Sequence, residues 1–535
     1  MTAQRRRLKH WGWGYEDEQP PAAQLRETAQ FLAGHLGFGD REPEAAVPLA
    51  EVRLPSPRLR PPPSLAPICR TDVYERALHA YGRSYRDVVR AFRGRFEHPP
   101  DLVAHPRSEA ECAAVLEWAL AEGAAVIPFG GGTSVVGGVE PAVPAEAFAG
   151  VVTLDLKAMD RVLEVDRVSL GARIQAGATG PVLEAQLRAH GLTLRHFPQS
   201  FAFATLGGMI ATRAGGHFAT LHTHIDDLVE SVRALTPAGP WESRRLPGSG
   251  AGVSPDRMLI GSEGTLGVIT EAWMRVRPRL DDTGFRAGTT VHFADFAAGA
   301  QAVRALAQSG LHPANCRLID ADEARLTGAG DGTRALLVLG FESPSFPVDG
   351  LLAQALECCG DHGGAWEAPD PGGRERDAAA AGWREAFLRA PYLRDVFVAM
   401  GVISETFETA VTWDRFPGLH AAVMEATAAA VRAVCGAGSV TCRLTHTYPD
   451  GPAPYYTVLA PARRGSELDQ WAEIKAAAAE AILAAGGTIT HHHAVGRDHR
   501  PWYDRQRPEP FAVGLRAAKR ALDPGGALNP GVLVE

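Results

Sequence analysis

The chain has 535 residues, 45% of them apolar and 22% charged, with a formal net charge of −8 and a pI near 6.2. That length exceeds what one hydrophobic core supports, so at least two domains are expected. An acidic balance excludes nucleic acid as the main partner, because phosphate-backbone binding needs a basic surface, but it leaves room for a local basic pocket around a small anion.

The N-terminus, "MTAQRRRLKHWGWGYED", is basic and has no apolar h-region, so no secretory signal is expected. Residues 1–94 read as an extension: a Pro-, Arg- and Glu-rich stretch, the extended "LRPPPSLAP" (59–67), then a helical region with Tyr74, Leu78, Tyr81, Tyr85, Val88 and Val89 at helical spacing. An α/β rhythm occupies 95–280. "DLVAHP" is a strand, and "SEAECAAVLEWALAEG" is a helix that Ser108 caps with Glu111 three residues on. "AAVIPF" is a buried strand; "GVVTLDL" and "ARIQAGA" are further strands; "PVLEAQLRAHG" is a helix with Pro181 in its first turn. "GSEGTLGVITEAWMRVRP" (261–278) alternates like paired strands. A second domain over 281–480 begins as strand then helix in "GTTVHFADFAAGAQAVRALAQSG" and carries Ala-rich helices over 416–435 and 470–485. The last segment, 481–535, reads as a turn and strand in "GGTITHHHAVG", a helix, a Pro/Gly stop and a closing strand. Seven scattered cysteines without a zinc-type CxxC pair imply a reducing compartment. No run of about 18 apolar residues spans a membrane, and a cytoplasmic location is expected.

Three glycine-rich loops carry the chemistry. "PFGGGTSVVGG" (128–138) removes three consecutive side chains after a buried strand, so bare backbone can turn its N–H groups toward an anion while Thr133 and Ser134 add hydroxyls. Its spacing is not the GxGxxG dinucleotide fingerprint. "PQSFAFATLGGMIATRAGG" (198–216) and "GSEGTLGVIT" (261–270) look like companions. Each alone reads equally as an ordinary turn; together, in order, they suggest one extended cofactor held by several turns.

The run His491, His492, His493 is internal and is no expression tag. On a strand, His491 and His493 would share one face and His492 the other. One face then supplies too few ligands for a metal, and none is expected. Imidazoles titrate near neutrality and suit proton transfer or anion binding.

These glycine segments, with "KHWGWGYED", "IDDLVESVRALTPAG", "CRLID", "YLRDVFVAMGVISETFETAVTWDR", "TCRLTHTYPDG" and "HHHAVG", resemble the vanillyl-alcohol-oxidase (PCMH-type) flavoprotein superfamily. Within it they resemble the alkyldihydroxyacetonephosphate synthase (alkylglycerone-phosphate synthase) family over most of the chain. The resemblance implies an α+β fold: a two-subdomain FAD-binding domain, an α+β substrate (cap) domain and a helical N-terminal extension. It also implies a transferase of ether lipid biosynthesis that exchanges the acyl group of acyl-dihydroxyacetone phosphate for a long-chain alkoxy group through a flavin N5 adduct, with no net electrons lost.

By the same resemblance, non-covalent FAD would lie against Pro128, Phe129, Gly130, Gly131, Gly132, Thr133 and Ser134; against Pro198, Gln199, Ser200, Phe201, Ala202, Phe203 and Ala204; against Thr212, Arg213, Ala214 and Gly215; and against Glu263, Gly264, Thr265, Leu266, Gly267, Val268 and Ile269. The catalytic tyrosine falls on Tyr455, with Tyr456 one register away; Arg317 and the three histidines join it, and Arg415 of "WDR" is the substrate-binding arginine. Gln199 and Ala202 depart from the family's acidic pattern in the second segment, and no peroxisomal extension is seen. Expected partners are the two lipid substrates, a membrane surface touched peripherally, and a second copy in a homodimer. The rival readings are an FAD-linked dehydrogenase or oxidase of 2-hydroxy acids (D-lactate or glycolate type) on the same fold, and a flavin-retaining regulatory protein. The filled catalytic positions disfavour the last of these.

Overall fold

The computed structural model describes residues 6–534 apart from 19, 41, 145, 281–283 and 368–390; the first five residues of the basic N-terminus lie outside the described residues. Four sheets organise the described residues. The first has order β1-β2-β4-β3, built from Cys69–Arg70, Leu102–Ala104, Ala125–Phe129 (β3) and Val151–Asp155 (β4). Its three main strands are parallel, which buries both faces and explains why β3 and β4 read as continuous apolar runs. The helix Glu109–Ala121 makes the crossover before β3; Ser108 Oγ accepts from the Glu111 N–H at 3.2 Å, the expected cap.

The second sheet is antiparallel, with order β5-β6-β10-β8-β9 from Val162–Asp166, Gly171–Gln175, Val229–Thr236 (β8), Gly239–Glu242 and Val268–Arg275 (β10). A two-stranded pairing of Leu192–Thr193 (β7) with Arg277–Pro278 (β11) sits beside it. Within 261–278 the glycines form the turn that leads into β10, which pairs with β6 on one side and β8 on the other, and β11 follows it.

The third main sheet is antiparallel with order β12-β14-β13-β16-β17-β15, from Phe285–Phe293, Asn315–Ile319 (β13), Ala335–Ser343 (β14), Val402–Glu408 (β15), Ser439–Thr447 (β16) and Pro452–Pro461 (β17). Helices Phe296–Gln308, Asp349–Gly360, Phe416–Cys435 and Glu467–Ala484 cover one face, and their apolar stripes build the larger core with Leu318, Leu337, Leu419, Val423, Tyr456 and Ile474. Trp11 and the helices Val73–Leu78 and Tyr85–Phe92 join that core, so the N-terminal extension is packed into the protein. The helical region after the Pro-rich stretch is divided into these two helices, because Ser84 starts the second with a capping box to Asp87.

Two expectations for the tail fail. Residues 489–495 form bends and loop instead of a strand, because the N–H groups of His491, His492 and His493 all point at one carboxylate rather than at a neighbouring strand. The closing strand after the helix Glu509–Leu522 is a single bridge, Leu528 to Val126, laid against the open edge of β3. No helix among the described residues is long and apolar enough to cross a membrane.

Candidate active site

The glycine loops meet where β3 ends. A cleft opens there, lined by Pro128, Phe129, Gly130, Ser134, Thr212, Glu263, Gly264, Gly267 and Ile269 from the expected set. It is also lined by Gly138, Leu156, Ala176, Thr205, Gly207, Gly208 and Asn529, which the sequence reading did not carry. Gly207 and Gly208 lay inside a quoted motif; Asn529 had no local signal. The cradle is tight. A Cβ on Gly131 would collide with the Phe203 carbonyl, and one on Gly130 with Thr205 Oγ1. The second segment therefore backs the first loop, and Phe203 supports Gly131 without lining the cleft. Gly132 adopts φ +65°, and Gly264 at φ +74° leaves no room for a Cβ, 2.9 Å from Pro128 Cγ. Ser134 Oγ accepts from the Gly138 N–H at 2.9 Å and closes the turn. The cleft suits a long ligand laid along backbone, as FAD requires. No histidine or cysteine lines it among the described residues.

Arg213 lies at the rim, more than half exposed, on Asp226. Gly215 is the junction: a Cβ there would sit 3.0 Å from His446 Cε1 and 3.1 Å from His492 Cβ. The chain thus runs from the cleft directly into a nest of histidines. Glu263 ties the same two regions from the other side. It is buried, and its carboxylate accepts the N–H groups of Val495 at 2.9 Å and Gly496 at 2.8 Å, just past the triplet. Burial pushes its pKa up to about 7.

The triplet is shaped by Glu408, at the end of β15. Its carboxylate accepts from Thr490 Oγ1 at 2.7 Å and from the backbone N–H groups of His491, His492 (3.1 Å) and His493 (2.8 Å). With three consecutive N–H groups turned inward, the three imidazoles splay outward. His491 meets Tyr448 Oη at 2.8 Å, His224 Nε2 at 3.1 Å and His492 Nδ1 at 3.0 Å. His446, His491 and His492 each bring a nitrogen within 4.8 Å, a grouping compact enough for a metal. Both nitrogens of His491, however, already lie within hydrogen-bond reach of other rings and a phenol. Burial holds His492 and His493 down to about 3 and keeps His491 and His446 well below the ordinary imidazole value, so all four are neutral at pH 7.

Tyr455 faces this cluster and Tyr456 does not. On β17, Tyr455 pairs with Glu408 and Arg443, its ring 6.0 Å from His492 and 5.5 Å from His493, with the Arg443 guanidinium 3.9 Å from its centroid. Tyr456 points to the opposite face, stacked at 5.0 Å on Phe407 and bonded to His420 at 3.3 Å in the core. Strand alternation places the two tyrosines on opposite faces of β17. Burial raises the Tyr455 pKa, so its phenol is protonated at neutral pH.

Arg317, on β13, is completely buried; its guanidinium binds the His217 carbonyl at 2.6 Å, and burial together with nearby Arg443 lowers its pKa to about 9. Arg415 lies elsewhere. It is exposed at the start of the helix Phe416–Cys435, with its guanidinium beside Gly486, because the "WDR" turn follows the end of β15 and leads outward. Besides Arg443, a second buried arginine near Tyr455 is Arg394, in a helix that includes 391–399. It binds the Arg83 carbonyl at 2.7 Å and reaches Thr406, which also hydrogen-bonds Tyr455. Its neighbour Asp395 anchors the N-terminal arm through Lys9 Nζ at 3.1 Å and the Trp13 N–H at 3.0 Å. The rings of Trp13 and Tyr15 then rest against Phe203. Sequence reasoning passed over Arg394, Arg443, Glu408, His224 and His446. Arg394, Arg443, Glu408 and His446 lie in "YLRD", "TCRLTH" and "ISETFE", where nothing in the spacing marks them, and His224 lies just before "IDDLVESVRALTPAG".

Residues 100–243 match the family described as "FAD binding domain", and residues 285–533 match "FAD linked oxidases, C-terminal domain". The chain is 30% identical to the alkyldihydroxyacetonephosphate synthase of Trypanosoma brucei brucei over 491 residues, covering 87% of this chain and 78% of that protein. The synthase of Dictyostelium discoideum is also 30% identical, over 494 residues with the same coverage. A solved alkyldihydroxyacetonephosphate synthase structure superposes with a TM-score of 0.79 at 25% identity, covering 98% of each chain.

Proposed function

The chain belongs to the alkyldihydroxyacetonephosphate synthase family, and from that premise we propose that it exchanges the acyl group of acyl-dihydroxyacetone phosphate for a long-chain alkoxy group. It is an FAD-dependent enzyme, and in this reading FAD is held non-covalently by the glycine cradle. When bound there, the flavin would supply an electron sink for the substrate with no net change of oxidation state over the turnover. The chain's own residues supply charge and protons. Arg317, Arg394 and Arg443 are buried around Tyr455 and the histidines, against the carboxylates of Glu323 and Glu408. The excess of buried positive charge fits a phosphate dianion, and a guanidinium grips phosphate with paired hydrogen bonds. A neutral imidazole accepts the proton from the carbon beside the carbonyl, and the Tyr455 Oη, protonated at neutral pH, donates a hydrogen bond to the departing carboxylate oxygen.

The observation that carries this reading is the meeting of a neutral histidine cluster, a buried tyrosine and buried arginines at Gly215, the end of the flavin cradle. Peripheral membrane contact, a cytoplasmic location and a homodimer belong to the same reading, from the lipid substrates and the family likeness. The test is anaerobic. Acyl-dihydroxyacetone phosphate is expected to lower the absorbance of the oxidised flavin, and a long-chain alcohol to restore it without any electron acceptor while alkyl-dihydroxyacetone phosphate appears. If the acyl substrate leaves the spectrum unchanged and a 2-hydroxy acid bleaches it until dye or oxygen is added, the protein is an oxidoreductase.

A further inference from the structure

The proposed exchange leaves a proton behind. The alcohol arrives with its O–H proton, and the fatty acid departs as a carboxylate, since a carboxyl group titrates at about pH 4–5. Each turnover therefore deposits one net proton in a buried site, and that proton must leave.

One hydrogen-bonded chain leads outward, and its polarity follows from its far end. His224 Nδ1 lies 3.1 Å from the Arg213 carbonyl, which only accepts, so the proton is on His224 Nδ1 and Nε2 is the acceptor. His491 Nε2, 3.1 Å away, must then be the donor to His224 and also to Tyr448 Oη, which passes its own proton to Thr223 Oγ1 at 3.0 Å. A neutral His491 is left with Nδ1 as acceptor, so His492 Nδ1, at 3.0 Å, carries the proton. His492 Nε2 is then a bare lone pair, on a ring stacked 6.0 Å from Tyr455. His224, at the other end, is half-buried, with the Asp226 carboxylate near enough to favour positive charge on it against the opposing effect of burial. His446 stays outside the chain, its Nε2 turned to the Gly216 carbonyl at 2.7 Å.

Resting on the reaction proposed above, we propose that His492, His491 and His224 form a proton relay, with His224 its exit. His492 Nε2 takes the proton and gives its Nδ1 proton to His491 Nδ1. His491 gives its Nε2 proton to His224 Nε2, and the resulting imidazolium releases its Nδ1 proton to water. No bond between heavy atoms changes, and each ring holds one proton before and after, now on its other nitrogen; turning of the imidazoles with exchange of their ring protons, not back-transfer along the chain, resets the tautomers for the next turnover.

The test uses the full-length FAD-loaded enzyme. In His224→Gln the side-chain carbonyl still accepts from His491, so the loop is held, but no proton passes. His224→Ala opens a space the size of a ring. Ether formation is expected to fall about 10-fold or more in both, the lower end of what a proton-transfer group contributes. FAD content and melting temperature should stay near wild type in His224→Gln. Added imidazole should restore turnover in His224→Ala in proportion to its free-base concentration, while pyrazole, too weak a base, should not. Ether formation at the wild-type rate in His224→Gln overturns the relay. So does a loss in His224→Ala that imidazole leaves untouched while His224→Gln is fully active. Failure of the wild-type enzyme to form ether is a separate result: it sinks the reaction itself, and the relay with it.

Discussion

Glu408 organises the triplet, and replacing it by glutamine tests that claim. The carboxylate receives Thr490 Oγ1 and three successive backbone N–H groups. Hydrogen bonds to a charged group contribute about 1.5–3 kcal/mol each, against about 1 kcal/mol for neutral ones. In Glu408→Gln the amide oxygen can keep the Oε1 position, where it still accepts from Thr490, His492 and His493 at reduced strength. Its NH2 then faces the His491 N–H, donor against donor, and a buried donor without a partner costs about 1–3 kcal/mol. These terms are not additive, so the expected destabilisation is about 2–4 kcal/mol, which a typical domain survives. The consequence lies in geometry. Displacing a catalytic loop by about 1 Å can lower turnover about 100-fold. Glu408 does not line the cofactor cleft, so FAD content should hold while ether formation falls. The assay pairs a thermal melt followed by flavin fluorescence with product analysis under saturating substrates. Turnover within twofold of wild type, with the melting temperature lowered as stated, would refute the argument that the carboxylate positions the histidines for chemistry.

Tyr455→Phe should retain fold and FAD yet lose about 10²–10⁴ in rate, whereas Tyr456→Phe, on the core face, should change turnover by less than twofold; the reverse pattern in parallel kinetics would reassign the tyrosine. Gly131→Ala should abolish FAD retention through gel filtration, because its methyl meets the Phe203 carbonyl rather than the cofactor; a yellow, fully loaded variant would show that the cradle yields. Stability should also fall in mild acid. His492 and His493 are depressed to about 3 when folded, so their contribution is full above their unfolded value of 6.5 and is lost as pH falls from there toward 3. His493→Gln should flatten the loss of melting temperature between pH 7 and pH 5, and an unchanged or steeper slope would contradict that assignment.

What the sequence made legible was whatever depended on local backbone needs. A cap at Ser108, buried parallel strands at β3 and β4, and glycines that admit no Cβ announce themselves in a few residues. The glycine at 131 was legible as a requirement but not in its cause: the obstacle is a carbonyl from 72 residues on in the chain, not a phosphate. The triplet shows the opposite failure. "ITHHHAV" has the alternation-free, β-branched look of a strand, and no local signal reveals that a glutamate some 83 residues earlier gathers its N–H groups into a bend. Arg415 and Arg394 were separated the same way, since both lie in quoted segments and only the direction in which the chain leaves or approaches β15 decides which is buried. The charges at this site are therefore set by tertiary contacts. Glu408 faces the histidine backbone, Glu323 holds Arg443 over Tyr455, and Asp395 ties the N-terminal arm beside Arg394. Each carboxylate fixes the placing of a basic group from a different part of the chain. The site is thus built jointly by the arm, the cap sheet and the tail, which is why no single one of its motifs disclosed it.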